Sequence, residues 1–302
     1  MSGRDEASST ELDPQDAFGL FSHELRLEIL LALWEAPEYS LRFSELQGTV
    51  DERDSGKFSY HLSKLEDQFV RKVDGRYVLQ YAGHRVIDAV RSGVFHESPT
   101  VEPTAIDGSC PDCNAQPEFA YTDHIATVTY PECDTKLMEY PFDPGGFQDR
   151  TLQEAVRAFD RRTKSKWSLA SGGTCFVCAG RVTTAFSDSH PGFEHMDRYD
   201  EYFADDHPAV IDLSCRNCSF YSYLPAGVRL LDHPAVVGRL NESGIDVQTR
   251  PLWELPFITD ADCVTVASTD PWEVRIETET AGGTLEVRLD ETVTIRSVSI
   301  AV

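Results

Sequence analysis

Residues 54–81 read DSGKFSYHLSKLEDQFVRKVDGRYVLQY, and few folds accommodate such a stretch. It predicts a helix that passes at once into a tight hairpin. Asp54 suits the helix start, where a carboxylate accepts from backbone N–H groups that have no intrahelical partner. Phe58, Leu62, Leu65 and Phe69 fall at i, i+4, i+7 and i+11, one apolar stripe for a core. The opposite side carries Lys57, Tyr60, His61 and Lys64, with Ser55 and Ser59 near the N-terminal end. Val70–Val73 and Arg76–Leu79 flank Asp74-Gly75, a strong two-residue hairpin signal because glycine tolerates positive φ. Arg71, Lys72 and Arg76 flank that turn.

The upstream residues extend the pattern. Ser22 is the expected cap of a helix running to about Ala36, with Leu25, Ile29, Leu30, Leu33 and Trp34 inward and Pro37 as its stop. A short helix follows over about Phe43–Val50. After the hairpin, residues 81–94 predict another helix with Val86, Ile87, Val90 and Val94 in a stripe. Helix, short helix, longer helix and hairpin is the order of a winged helix-turn-helix, whose third helix lies in a major groove of double-stranded DNA. Its candidate DNA contacts are Ser55, Lys57, Ser59, Tyr60, His61 and Lys64 on the helix, and Arg71, Lys72 and Arg76 on the hairpin. A plain structural α/β domain with a solvated polar helix face is the alternative.

Three runs carry a family resemblance: AFGLFSHELRLEILLAL, FSELQ and KFSYHLSKLEDQFVRKVDGRYVLQYAGHRVIDAV. They resemble the ArsR-like winged-helix transcriptional regulators of halophilic archaea, most specifically in FSYHLSKL and in the YAG that opens the next helix. The resemblance implies that the helix over Asp54–Gln68 reads DNA while the hairpin touches its backbone. It implies a homodimer, since two-fold operators need two-fold proteins. It also implies a cysteine-containing C-terminal domain with paired knuckles.

Charge bears on that expectation. The chain holds 51 acidic against 27 basic residues, a net charge of −24, and only 6 of the basic residues are lysine. Such a surface suits molar salt, where high net charge maintains solubility. An acidic chain repels phosphate, so the distribution matters more than the total. Residues 1–95 hold 17 acidic and 11 basic side chains, yet residues 55–76 hold five basic against three acidic. The local cationic excess coincides with the expected DNA face.

Eight cysteines organise the remainder: Cys110, Cys113, Cys133, Cys175, Cys178, Cys215, Cys218 and Cys263. Three C-x-x-C knuckles appear, CPDC, CFVC and CRNC. Cys175 and Cys178 with Cys215 and Cys218 supply four thiolates for a closed structural zinc site. The 36 residues between Cys178 and Cys215 exceed the usual spacing, so a β excursion must loop out between knuckles. The pair Cys110/Cys113 has normal spacing to Tyr130-Pro-Glu-Cys133, but Tyr130 stands where a first cysteine belongs. That leaves three thiols, with the fourth position open to His124, to water or to nothing. A crossed site of Cys110/Cys113 with Cys175/Cys178 is the remaining pairing. Cys263 begins an apolar run and reads as a small core side chain.

Elsewhere, Thr151 and Glu154 make a capping box for a helix to Trp167, and a second helix covers about Pro234–Ser243 with Gly244 at its end. Val264/Val266, Val274/Ile276, Leu285/Val287/Leu289 and Val293/Ile295 predict an antiparallel meander with Gly282-Gly283 as a turn. The expected organisation is an acidic disordered tail over 1–13, a winged domain over 14–95 and a linker over 96–107. A zinc-ribbon-like mixed α/β domain over 108–302 completes an α+β chain. The N-terminus lacks the pattern of a secretory signal and no 18-residue apolar run exists, so the expected setting is the cytoplasm, without membrane association.

His190, His195 and His207 lie among Asp188, Glu194, Asp197, Asp200, Asp205 and Asp206, a composition that a metal hydrolase would use. The segment lacks a helical H-x-x-x-H pair, and the chain has no Walker loop, G-x-S-x-G or dinucleotide fingerprint. The sequence therefore favours a DNA-binding regulator over an enzyme of thiol-redox or metal-dependent type. A basal factor or adaptor docking on RNA polymerase is the main alternative.

Overall fold

The computed structural model describes residues 13–110, 113–133, 135–187 and 207–301. Over these residues the chain is α+β and divides into two units, Met1–Glu97 and Ser98–Val302.

The first unit opens with α1 (Pro14–Gly19), which the sequence pattern did not signal, and α2 (Glu24–Glu35). The α2 cap is His23 rather than Ser22. His23 Nδ1 accepts from the Leu25 N–H at 3.3 Å, while Ser22 Oγ donates back to the Gly19 carbonyl. After Pro37 come β1 (Ser40–Arg42), α3 (Phe43–Thr49) and α4 (Ser55–Leu65). Asp54 caps α4 by accepting from the Gly56 and Lys57 N–H groups at 2.8 and 3.0 Å. The helix ends at Leu65, short of Gln68, because Glu66 turns extended and Asp67 takes a φ of 73°. The strands β2 (Val70–Val73) and β3 (Arg76–Leu79) follow, joined by Asp74 (φ 49°) and Gly75 (φ 78°). Positive φ at both turn residues gives the connection whose twist matches the paired strands. β1 pairs with β3, so the small antiparallel sheet runs β1-β3-β2. Then α5 (Tyr81–Arg91) stops three residues before Val94, which is exposed along with Phe95.

One apolar core joins these elements. Leu25, Ile29, Leu30 and Leu33 of α2 meet Leu46 of α3, Phe58, Leu62 and Leu65 of α4, and Phe69, Val70, Tyr77, Leu79 and Ile87. Phe43 packs edge-on against Phe58 at 5.0 Å, fixing α3 against α4.

In the second unit, β4 (Val101–Ala105), β5 (Glu118–Thr122), β6 (Ile125–Tyr130) and β7 (Thr135–Pro141) form an antiparallel sheet in chain order. Residues 98–107 therefore belong to this unit, and the expected linker over 96–107 contains the strand β4. The capping box of Thr151 and Glu154 starts α6 (Leu152–Ser171), which buries Val156, Phe159 and Trp167. β8 (Val182–Ser187), β9 (Val210–Cys215) and β10 (Tyr221–Pro225) make a second sheet, and β8 and β9 are the excursion the cysteine spacing required. Next come α7 (Pro234–Glu242) and the short α8 (Pro256–Thr259).

The chain closes in a four-stranded meander of β11 (Val264–Thr269), β12 (Trp272–Thr280), β13 (Gly283–Asp290) and β14 (Ile295–Ala301). Its central turn is shifted by one residue from the expected Gly282-Gly283, because Thr280 pairs with Gly283. Val293 lies in the last turn with a φ of 59° rather than in a strand. No helix among the described residues is long and apolar enough to cross a membrane.

His61 departs from the surface role expected of it. It is 6% exposed, its ring stacks on His23 at 3.8 Å, and its Nδ1 accepts from Arg26 Nε at 3.2 Å. Its position on α4, three residues after Phe58, turns it toward α2 rather than outward. Burial first, then the neighbouring His23, Arg26 and Lys57, hold the imidazole below its ordinary value, with Glu52 opposing. A depressed histidine binds fewer protons folded than unfolded just below pH 6.5, so stability present above that pH falls as acid is added. The first unit should lose protection in hydrogen exchange as pH falls below about 6.5, and His61→Leu should flatten that loss. An equal pH response in parent and variant would contradict this assignment.

Candidate functional site

The polar side of α4 is set by what its other side buries. With Phe58, Leu62 and Leu65 inside, the helical period leaves Ser55, Lys57, Ser59, Tyr60 and Lys64 exposed. Tyr60 is 54% exposed, and the Lys64 ammonium lies 5.5 Å from the centre of its ring. Arg71 and Lys72 are exposed on the hairpin, with the Lys72 ammonium 5.2 Å from the Tyr77 ring centre. The structure thus brings one cationic, aromatic-bearing helix face and a cationic hairpin into the same unit.

Several of the expected contacts carry internal duties. Arg76 donates from Nε to Ser40 Oγ and from a terminal nitrogen to the Ser40 carbonyl, both at 2.7 Å, and lies 3.8 Å from Glu45. It braces β3 against β1, so it is not a hairpin-tip cation. Ser55 Oγ meets the Gln47 amide and ties the α4 start to α3. Lys57 pairs with Glu52 at 2.7 Å. That hydrogen bond raises the lysine and lowers the carboxyl from their ordinary values. Arg53, which the helical pattern overlooked, is exposed one residue before the Asp54 cap, beside the positive end of the α4 dipole. The signal was a base adjoining a helix cap.

The second unit gathers seven of its cysteines into two clusters. Cys175, Cys178, Cys215 and Cys218 bring all four Sγ atoms within 4.8 Å of one another, and Cys110, Cys113 and Cys133 do the same with three. This excludes the crossed pairing. Separations of 3.7 Å for Cys175–Cys218 and 3.5 Å for Cys178–Cys215 are far from a disulfide. They match the edge, roughly 3.8 Å, of a tetrahedron with metal–sulfur bonds of about 2.3 Å. Either cluster could hold a metal ion.

The backbone prepares the four-thiol cluster. In each knuckle an amide two residues on points back at the first thiol: Val177 N to Cys175 Sγ at 3.4 Å and Asn217 N to Cys215 Sγ at 3.3 Å. Hydrogen bonds from the Asn217 side chain and the Gly180 N–H hold the Cys178 thiol down at about 6. Cys218 has the Phe220 N–H in its favour, yet burial and the adjacent thiols drive it up to about 12. Negative charge crowded this closely favours a bound cation. Gly180 is the second residue the motif overlooked. A Cβ there would meet Asn217 Cβ at 2.9 Å, Cys178 Sγ at 3.1 Å and Cys215 Sγ at 3.2 Å.

In the three-thiol cluster, Cys133 lies 3.6 Å from Cys110 and 3.1 Å from Cys113. His124 is not its partner: it sits in the β5–β6 turn, at the far end of β6 and about 20 Å along that strand from Tyr130. Burial, with Cys110 next, pushes the Tyr130 hydroxyl up to about 12, and it donates to the Ser109 carbonyl at 3.1 Å. Cys263 joins neither cluster, and it is half-buried against the edge of the core rather than inside it. The acidic residues Asp188, Glu194, Asp197, Asp200, Asp205 and Asp206, with His190 and His195, lie outside the described residues. His207 is described and buried.

Residues 107–295 match a domain family of unknown function, DUF7351. The chain belongs to the DUF7351 family. Residues 14–90 match a second domain family of unknown function, DUF7347. No curated protein and no solved structure matches the chain. Every cysteine of both clusters falls in the DUF7351 span, and the cationic helix and hairpin fall in the DUF7347 span.

Cys215→Ser should lower metal bound per chain by one equivalent, measured by elemental analysis of purified protein. Gly180→Ala should lower occupancy of the same site, since its methyl must displace a ligand sulfur or the Asn217 Cβ. Metal content equal to the parent's in both variants would overturn the four-thiol assignment.

Proposed function

We propose that the chain is a sequence-specific transcriptional regulator that binds double-stranded DNA through a winged helix-turn-helix over residues 14–95. In this reading α4 enters the major groove, the β2–β3 hairpin is the wing, and a homodimer in the cytoplasm spans a two-fold operator. Zinc at Cys175, Cys178, Cys215 and Cys218 is structural, and the three-sulfur cluster is the lesser site. The chain acts as a regulator rather than an enzyme.

The observation that carries the reading is the α4 face. Ser55, Ser59, Tyr60 and Lys64 are exposed on a helix whose other side is locked into the core, in a chain whose net charge is −24. Hydroxyls and a phenol ring can reach base edges, and Lys64, Arg71 and Lys72 can meet phosphate. The order of helices and the β1-β3-β2 sheet support the same reading.

The internal pairing of Lys57 and Arg76 limits the number of phosphates the unit can neutralise. Affinity for DNA falls with salt at a log–log slope of roughly −0.9 per phosphate contacted. A protein suited to molar salt must then rely on base contacts, apolar contacts, DNA shape and dimer avidity. Lys64→Ala should weaken binding to a duplex selected by the parent, and the parent's advantage should shrink about eightfold per tenfold rise in salt. Tyr60→Ala should weaken it by a factor that changes little with salt. Fluorescence anisotropy titrations at two salt concentrations check both. An equal Lys64→Ala loss at both salts, or no selectable duplex at all, would contradict the proposal.

A further inference from the structure

The second unit holds a cleft of about 480 Å³ between α6 and the segment over 248–254, with residues 107–108 at one end. That volume falls within the roughly 300–1,000 Å³ of small-molecule sites. Its walls are tied together from beneath. Asp160 and Lys164 of α6, 5% and 4% exposed, pair at 2.7 Å. The Leu252 N–H donates to the Asp160 carboxylate at 2.7 Å, and the Lys164 ammonium donates to the Arg250 carbonyl. A buried ion pair is costly in desolvation and adds little stability by itself. This one fastens residues 250–252 to the helix. At the end of the cleft Gly108 has a φ of 132°, and a Cβ there would meet Glu254 Oε1 at 3.0 Å. Glycine leaves that carboxylate its place.

The charges around the cleft resolve into pairs, with one of each sign left over. Lys164 neutralises Asp160, and Arg157 lies 3.6 Å from Asp107. Arg161 and Glu254 line the same cleft, and neither makes an ion pair among the described residues. A simple anion drawn to Arg161 would face Glu254, and a simple cation drawn to Glu254 would face Arg161. A molecule carrying both charges satisfies both. The guanidinium fork takes a carboxylate through two parallel hydrogen bonds, and Glu254 accepts from an ammonium. Pro251 and Trp253 add apolar surface to the wall that carries Glu254.

We propose that this cleft binds a free α-amino acid, its carboxylate on Arg161, its ammonium on Glu254 and its side chain against Pro251 and Trp253. This goes beyond the DNA-binding reading and does not depend on it.

Isothermal titration of the full-length chain with each protein amino acid in turn is the test. At least one should bind at one equivalent per chain. Its methyl ester and its N-acetyl derivative, each lacking one charge, should bind weaker by roughly tenfold or more. Arg161→Gln should weaken the amino acid to a similar degree yet leave the ester unaffected. Glu254→Gln should do the same with respect to the N-acetyl derivative. Both variants are checked for an unchanged unfolding transition, and the two derivatives test the parent without any substitution. A parent that binds none of the amino acids would overturn the proposal. So would an ester or N-acetyl derivative that binds as tightly as its amino acid, or parental affinity in either variant. Failure of DNA binding would leave all of these outcomes unchanged.

Discussion

Burial of one side of α4 decides what the first unit can present to anything outside it. Phe58, Leu62 and Leu65 are at most 1% exposed. Each contributes on the order of 2 kcal/mol by leaving water. The Lys57–Glu52 pair is screened by solvent and contributes little beside that burial. Packing, not surface electrostatics, therefore sets the rotation of the helix about its axis. A turn of 100° would exchange an apolar side chain for a charged one in the core. The outward direction of Tyr60 and Lys64 is a consequence of that constraint, as is the inward direction of His61.

The same logic of fixed backbone and limited charge runs through the second unit. Its clusters concentrate thiols within 4.8 Å of one another, and the knuckle turns of the four-thiol cluster place the Val177 and Asn217 N–H groups against sulfur. A metal ion held there would supply positive charge that an acidic chain has little of to spare. The four-thiol cluster joins the turn after α6 to the β9–β10 turn, so its ligands come from separated elements. The three-sulfur cluster joins the turn before β5 to the end of β6.

Much of the first unit was legible from residue pattern alone. The Asp54 cap, the Phe58–Leu65 stripe and the Asp74-Gly75 turn are local signals, and each is realised at the expected residues. The misplaced features are those decided by partners distant in sequence. His61 looked outward on periodicity but is claimed by His23 and Arg26. Arg76 looked like a wing-tip cation but is claimed by Ser40, which is 36 residues away. In the second unit the thiol spacing named the four-ligand set and its β excursion. It could not place His124, because the length of β6 sets that distance. The turn of the final meander slipped by one residue, since either adjacent glycine offers the required freedom and strand pairing makes the choice.

The most direct measurement is occupancy of the chromosome by the full-length protein in cells, mapped at base-pair resolution. The account predicts a limited set of discrete sites, each with two half-sites related by two-fold symmetry and separated by about one helical turn or a multiple of it. Even occupancy across promoters in general would contradict it and favour an RNA polymerase adaptor. No enrichment on DNA would remove the DNA-binding reading altogether.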